Sequence, residues 1–433
     1  MPANGASTVR GVSQDARYVL FESRATNLAG LIFPPMPGLY LRDRIGGFTT
    51  SLAWFPPFGR PGDGSEATIS SDGRFLAFVA SNDHVGHDDE YQVWAFDRLT
   101  GVQSLVSSNS FGIQGDANAA APSLSGDGRW VAFSSQSTNL DSASASGEYD
   151  HDVFLKDRIT GATTVASVTP LGVAGTGTSL APKISRNGRR IVFNSSSTQL
   201  VAGTPASLAT GVFVYDTLSG LVSRVDVAAG VHANSVAVTG DHALSGEGRW
   251  VAFASWASNL VADDSNLTSD VFVRDLSTGT VERVSVSSGG AQGNDGSFSP
   301  SISSDGRYVA FRSYASNLVS GDSNGVQDVF VRDRLLGTTK RISRGNFGVE
   351  ADGASTTPML CGDGFAVIFD SVATNLAGSD SNGVSDVFLA DSNPPWSESA
   401  GSGSPFALWL RTVVAWWRNT VIRVPPRLPN ANG

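Results

Sequence analysis

Two heptapeptides in the C-terminal third carry the densest oxygen chemistry of the chain. Asp322-Ser323-Asn324-Gly325-Val326-Gln327-Asp328 and Asp380-Ser381-Asn382-Gly383-Val384-Ser385-Asp386 each set Asp, Asn and Asp around a glycine, and Asp264-Ser265-Asn266 to Asp270 is a looser version. Carboxylate and amide oxygens alternating about a tight turn suit a hard cation, so Asp322, Asn324, Asp328, Asp380, Asn382, Asp386, Asp264, Asn266 and Asp270 are candidate calcium ligands. The same side chains equally suit a loop in which Asp and Asn bond their own backbone, with no metal required. A second cluster, His84-Val85-Gly86-His87-Asp88-Asp89-Glu90, holds the closely spaced histidines. His84, His87 and Asp88 have the donor types for a transition metal, with a solvated polar loop as the alternative.

Other chemistries find less support. No His-Glu-x-x-His pair or phosphate-binding loop occurs, and the Gly-x-Ser-x-Gly run at Gly321-Asp322-Ser323-Asn324-Gly325 falls inside a polar Asp/Asn loop and not at a strand-to-helix elbow, so local signatures of a zinc hydrolase or a nucleotide site are missing and that of a serine hydrolase lacks its context. Lys and Arg total 30 against 40 Asp and Glu, a formal charge of −10. That balance opposes binding to a phosphate backbone, which depends on cations displacing counterions, and no nucleic-acid partner is expected. The single cysteine, Cys361, excludes an internal disulfide. It stands where Ser245 and Ser303 stand in sister repeats, and so reads as a buried serine substitute and not as a nucleophile.

The elements that position these residues emerge when the chain is compared with itself. Ser303-Ser304-Asp305-Gly306-Arg307-Tyr308-Val309-Ala310-Phe311 recurs at Ser70–Phe78, Ser125–Phe133, Ser185–Phe193 and Ser245–Phe253, with weaker copies at Ser13–Phe21 and Cys361–Phe369. The anchoring phenylalanines are spaced by 57, 55, 60, 60, 58 and 58 residues. Each unit continues into a second apolar run, such as Val329-Phe330-Val331, then an Asp-x-x-x-Gly turn and a further run, which makes four strands per unit. Val-Ala-Phe and Val-Phe-Val are apolar at consecutive positions, so both sheet faces must be covered. Stacking seven such sheets around an axis covers them. The expected fold is therefore all-β, a seven-bladed β-propeller of four antiparallel strands per blade over residues 1–392, with a short C-terminal tail over 393–433.

Strand alternation puts the short turns of every unit on one face of the disc and the long connections, such as Ser313–Gln327 and Ser287–Phe298, on the other. Loops on a rigid scaffold are where recognition concentrates, so the long-loop face and the mouth of the central channel are the expected binding site. The Ser-x-Asp-Gly-Arg-Φ-Val-Ala-Phe unit, followed by Asp-Val-Phe-Val-Arg-Asp and a Thr-Gly turn, resembles the TolB-like propeller repeats of bacterial envelope and secreted proteins, over roughly residues 7–392. The resemblance implies a propeller used for contact with partners, in the periplasm or outside the cell, although no signal peptide is recognisable at the N-terminus.

The tail departs from the repeat: Arg411, Arg418, Arg423 and Arg427 accompany four tryptophans. Its apolar stretch is too short to span a membrane. Three readings stand. Residues 419–424, which include Thr420-Val421-Ile422-Arg423-Val424, match the outer run of the fifth unit and supply the missing last strand of the seventh; the tail meets a membrane surface or a partner; or it is disordered. The expected function is a non-catalytic, monomeric binding module for a protein or glycan partner, requiring no cofactor, with calcium as an option. Its rivals are a propeller hydrolase or lyase with carboxylates at the channel mouth, and a calcium-stabilised structural domain of a surface protein.

Overall fold

The computed structural model describes residues 3–28, 38–52, 66–81, 91–144, 150–204, 210–345, 348–377, 380 and 382–391. His84, His87 and Asp88 lie outside the described residues, as does the tail from 392 onward. Seven antiparallel sheets follow one another along the chain in a ring. Blade 1 holds β1 (Ser7–Val12) to β4 (Phe48–Ser51), blade 2 β5 (Ala67–Ile69) to β8 (Gln103–Leu105), and blade 3 β9 (Ala119–Leu124) to β12 (Thr163–Val165). Blade 4 holds β13 (Ser179–Ile184) to β16 (Leu221–Arg224), followed by a small hairpin of β17 (Val227–Ala228) and β18 (Val231–His232). Blade 5 runs from β19 (Ala237–Leu244) to β22 (Val281–Arg283), blade 6 from β23 (Ser297–Ile302) to β26 (Thr338–Arg341), and blade 7 from β27 (Ser355–Leu360) to β29 (Asp386–Asp391). The first six have four strands each; blade 7 has three among the described residues. Among those residues no helix is long and apolar enough to cross a membrane.

The repeated nonapeptide builds each blade in the same way. In blade 6, Ser303 Oγ donates to Asp305 Oδ1 at 2.6 Å and accepts Tyr308 N–H at 2.9 Å, which closes the turn between the first two strands. The Arg307 guanidinium then reaches Asp333, at the end of the third strand, through two parallel bonds of 3.0 and 2.7 Å. The same fork joins Arg17 to Asp43, Arg74 to Asp97, Arg129 to Asp157 and Arg249 to Asp275. The recurring aspartates are thus anchors as well as turn residues, and their arginines hold the carboxyls below the usual range. Above the turn, the second-strand phenylalanine packs on an aromatic of the third, as Phe311 does on Phe330 at 5.9 Å between ring centres. The second-strand phenylalanines of blades 1 and 3 to 7 are buried and Phe78 of blade 2 is half-buried, while Ala77, Ala132, Ala252 and Ala310 are buried between the sheets.

The ring closes through the backbone. At the short-turn face, Gln14 N–H donates to Ser71 O, Ser71 to Gly126, Gly126 to Arg186, Asn187 to Gly246, Gly246 to Ser304, Ser304 to Gly362, and Gly362 back to Gln14, all between 2.7 and 3.3 Å. Blades 7 and 1 also share a core of Val9, Val19 and Phe21 with Ala366, Ile368 and Leu389. Closure therefore uses whole blades packed face to face, and blade 1 is completed by its own four strands.

Candidate functional site

The first strand of each blade lines the central channel, and its register breaks midway in blades 1 and 3 to 7. At the break, Ala121, Ala181, Ser299 and Thr357 take positive φ of 52°, 53°, 51° and 51°, each just before a proline. Such a conformation costs a non-glycine residue about 1–2 kcal/mol, so something must hold it. At Ser299 and Ala121 a side chain from the preceding blade holds it, and the same kind of bond reaches the inner strand at Gly240 in blade 5 and Val9 in blade 1. Ser299 N–H donates to Asp241 Oδ2 at 2.9 Å and Gly240 N–H to Asn194 Oδ1 at 2.8 Å. Ala121 N–H is bonded by Glu66, and in blade 1 Val9 N–H donates to Asp370 Oδ1 at 2.8 Å.

These bonds assign the channel's acids. Asp370 is pushed up to about 7 by burial, against the pull of Val9 N–H and Thr357. Burial also raises Asp241, with the Ser299 N–H and Arg312 opposing it. Glu22 pairs with Arg10 at 2.6 Å, and Arg312 is held by Ser299 Oγ at 2.9 Å and Gln327 Oε1 at 3.0 Å. His242 is buried, which drives it down to about 4; its Nε2 lies 2.7 Å from Ala181 O, so the neutral ring donates there.

Lys183 is different. It sits on β13, open to water, yet the lumen around it is crowded enough for desolvation to lower its pKa, with Glu66 holding it up and Arg10 pressing it down. Those two belong to blades 2 and 1, across the ring from blade 4, so the ammonium projects into the lumen. Among the described residues it has no hydrogen-bond or ion-pair partner. Below it, Arg186 spans the short-turn end of the channel. A Cβ on Gly362 of blade 7 would meet Arg186 Nη1 at 2.8 Å, and one on Gly126 of blade 3 would clash with its stem. Both glycines are there because the arginine crosses between them.

The opposite end carries the long loops. Trp256 and Tyr314, which follow the second strands of blades 5 and 6, are half exposed at this mouth. Trp256 leans on Phe298 with ring centres 6.3 Å apart, and Arg312 lies over the same Phe298 ring at 5.3 Å. The corresponding positions in the other blades are Arg24, Ser81, Gln136, Ser196 and Val372, so at this position the aromatics fall in two adjacent blades.

The candidate calcium residues do come together. Asp322, Asp328 and Glu350 offer oxygens within 4.8 Å of one another. Arg341 on β26 occupies their centre, at 3.1 Å from Asp322, 3.2 Å from Asp328 and 2.6 Å from Glu350. Asn324 turns its amide nitrogen to Asp328 at 2.9 Å. Blade 5 repeats this with Arg283 against Asp264 and Asp270, Gln292 bonding Asp264, and Asn266 bonding Asp270. In blade 7, Asn382 Nδ2 bonds Asp386 at 2.8 Å, but no arginine stands beside Asp380 and Asp386 among the described residues. Arg283 and Arg341 were legible as a repeated outer-strand arginine; Lys183 and Arg186, each present in one blade, gave only the signal of a cation where sister repeats carry uncharged residues. Cys361 is buried and its thiol is pushed up to about 12, in keeping with a serine substitute.

No family model and no curated protein sequence matches the chain. Solved structures do match in shape. The β-propeller domain of the Trilobed protease from Pyrococcus furiosus, described as having an open velcro topology, aligns with a TM-score of 0.54 at 12% identity, over 89% of this chain and 93% of that one. Oligogalacturonate lyase from Vibrio parahaemolyticus aligns with a TM-score of 0.52 at 13% identity, over 90% of this chain and 92% of that one. TolB from Acinetobacter baumannii aligns with a TM-score of 0.42 at 15% identity, over 77% of this chain and 62% of that one. The first two share the whole propeller, and the likeness is one of fold.

Proposed function

We propose that the chain is a non-catalytic recognition propeller whose long-loop face binds an acidic saccharide, with an anionic group of the ligand drawn into the channel to Lys183. The observation that carries the reading is Lys183 itself, an ammonium without a partner among the described residues, in a lumen where Glu22, Glu66, Asp241 and Asp370 are each already bonded. Trp256 and Tyr314 at the mouth supply rigid, amphipathic surface against which sugar rings stack. Arg186 leaves the long-loop face as the approach. A setting in the periplasm or outside the cell suits such a ligand.

The test is calorimetric titration with oligogalacturonate and with an uncharged oligosaccharide of equal length. Binding of the acidic chain alone is expected, weakened at least tenfold by Lys183→Met and by Trp256→Ala with melting temperature unchanged. No binding, or equal binding by Lys183→Met, refutes it. A lyase reading draws on one observation, the Asp370 carboxyl at about 7, which would exchange protons near neutrality. Accumulation of an unsaturated, ultraviolet-absorbing product in the same mixtures, lost in Asp370→Asn, would favour it.

A further inference from the structure

We propose that residues 420–424 form the outer strand of blade 7, antiparallel to β29, and seat the Arg423 guanidinium between Asp380 and Asp386. This rests on the blade, independently of what the channel binds.

Among the described residues the β29 edge of blade 7 lacks the fourth strand that covers its counterpart in blades 1 to 6. In blade 5, Val271 accepts Val284 N–H at 2.8 Å from the outer strand and donates to Ser285 Oγ at 3.1 Å. Val387, its counterpart in blade 7, has neither bond among the described residues. An uncovered edge is a template for pairing with another strand.

The electrostatics of this edge specify the strand. Where blades 5 and 6 bring an aspartate pair together, the outer strand brings an arginine: Arg283 opposite Phe272, and Arg341 opposite Phe330. Among the described residues Asp380 and Asp386 form the same pair with no such cation, and Asp386 Oδ1, whose counterparts on Asp270 and Asp328 accept from Ser285 and Ser343 Oγ, has no hydrogen-bond partner. Burial, with the neighbouring Asp380 adding to it and Asn382 opposing, pushes Asp386 up to about 6. The position opposite Phe388 therefore calls for an arginine.

Residues 419–424 place one there. Asn419-Thr420-Val421-Ile422-Arg423-Val424 matches Gly279-Thr280-Val281-Glu282-Arg283-Val284 and Gly220-Leu221-Val222-Ser223-Arg224-Val225 in register. Gly279 and Gly220 have φ of 77° and 69°; asparagine is among the few other residues that tolerate that region. The shortest connection from β29 would instead use Trp396-Ser397-Glu398-Ser399, which brings Ser399 opposite Phe388 and adds an acid, so it leaves the pair uncompensated. The longer excursion costs little, since loop-closure entropy grows only logarithmically with length. Pro425 stands where Ser285 and Ser343 stand and supplies neither their Oγ bond to the aspartate nor their acceptor for the third-strand N–H, so the strand brings the Val424 N–H to Val387 and the Arg423 cation to the pair, and it ends after Val424.

The test is hydrogen exchange of the β29 amides, with thermal unfolding, on the full chain, on chains ending at 392 and 402, and on Arg423→Met, Asp386→Asn and the double variant. Ending the chain at either point is expected to speed exchange of the Leu389 amide, the counterpart of Val273 opposite Glu282, at least tenfold. Arg423→Met should lower the melting temperature in the wild-type background and much less beside Asp386→Asn. Equal β29 protection in the full chain and the chain ending at 392 overturns the proposal. So does protection retained by the chain ending at 402, which assigns the edge to the nearer segment, and so does protection that rises with protein concentration, which assigns it to a second copy. Identical effects of Arg423→Met in both backgrounds overturn the role of the arginine.

Discussion

Arg341→Met removes one cation from the centre of three carboxylates while keeping an apolar stem of similar reach. The side chain is 3% exposed and contacts Asp322, Asp328 and Glu350 within 3.2 Å. Removing one partner of a buried ion pair costs about 3–5 kcal/mol. Glu350 is 23% exposed and can turn into water, which argues for the lower end, about 3 kcal/mol. At roughly 2 °C per kcal/mol for a large domain, the melting temperature should fall by about 6 °C at pH 7.5. The pH dependence has a definite sign. Asp322 is raised from 3.8 to about 6 by burial, with Asp328 and Glu350 adding to it. Between those values the folded state therefore binds more protons than the unfolded one, and its contribution to stability falls as pH rises. Without Arg341 that penalty grows, so acidifying the variant from pH 7.5 to 5 should recover part of the loss. Glu350, held well below its ordinary value chiefly by Ser323 N–H, has the opposite sign, and its contribution disappears only as pH falls below about 4. The vacated centre should also accept calcium: a free concentration of about 100 times Kd restores about 2.7 kcal/mol. Scanning calorimetry of both proteins, in chelator and in calcium at the two pH values, reads all of this. A variant within about 1 °C of wild type, or an equal calcium shift in both proteins, refutes the reasoning.

Gly306→Ala and Gly101→Ala separate backbone strain from crowding. Both positions have φ near 75°, but a Cβ at Gly101 meets nothing within 4 Å, whereas one at Gly306 would clash with the Trp250 ring of the preceding blade. Gly101→Ala should cost about 1 kcal/mol and Gly306→Ala at least about 2 kcal/mol more, by denaturant titration. The Cys361 thiol should resist disulfide reagents at pH 8 in the folded protein and react at the rate of global opening, because burial keeps it protonated; labelling faster than unfolding would contradict its placement.

The blades were legible because each is written several times over. Phe21, Phe133 and their counterparts mark a period that only stacked sheets satisfy, and the lengths of the connections sort them onto two faces. The Arg–Asp forks were half legible: both partners recur, but their separation of about 26 residues hides the bond until the second and third strands are paired. The channel was not legible. Its inner-strand breaks look in sequence like ordinary strands with a proline, and the groups that cap them come from another blade, 46, 55 and 58 residues away or, across the closure of the ring, 361. Asp241 illustrates the difficulty. Blade 5 has Ala254 where blade 4 has Asn194, and a longer inner strand supplies the missing cap from Asp241.

In a ring of seven similar units, whatever recurs has to be explained by the ring, and whatever breaks the recurrence is free to be explained otherwise. The Ser-Asp-Arg turns, the phenylalanine pairs and the arginine-centred acid clusters recur, and each has a structural bond that accounts for it. Arg186 fills a turn position held by Gln14, Ser71, Gly126, Gly246, Ser304 and Gly362 elsewhere, and a channel has room for one such side chain. Lys183 stands where Gly11, Ser123, Ser301 and Met359 stand, and Trp256 and Tyr314 are the aromatics among otherwise small, polar or aliphatic mouth residues. These departures lie along one axis, from a crossed lower end through a cation to an aromatic rim. Scattered neutral drift would have no reason to align them, and the repeat itself cannot require them in single blades; the ligand we propose, entering from the long-loop face, would account for both.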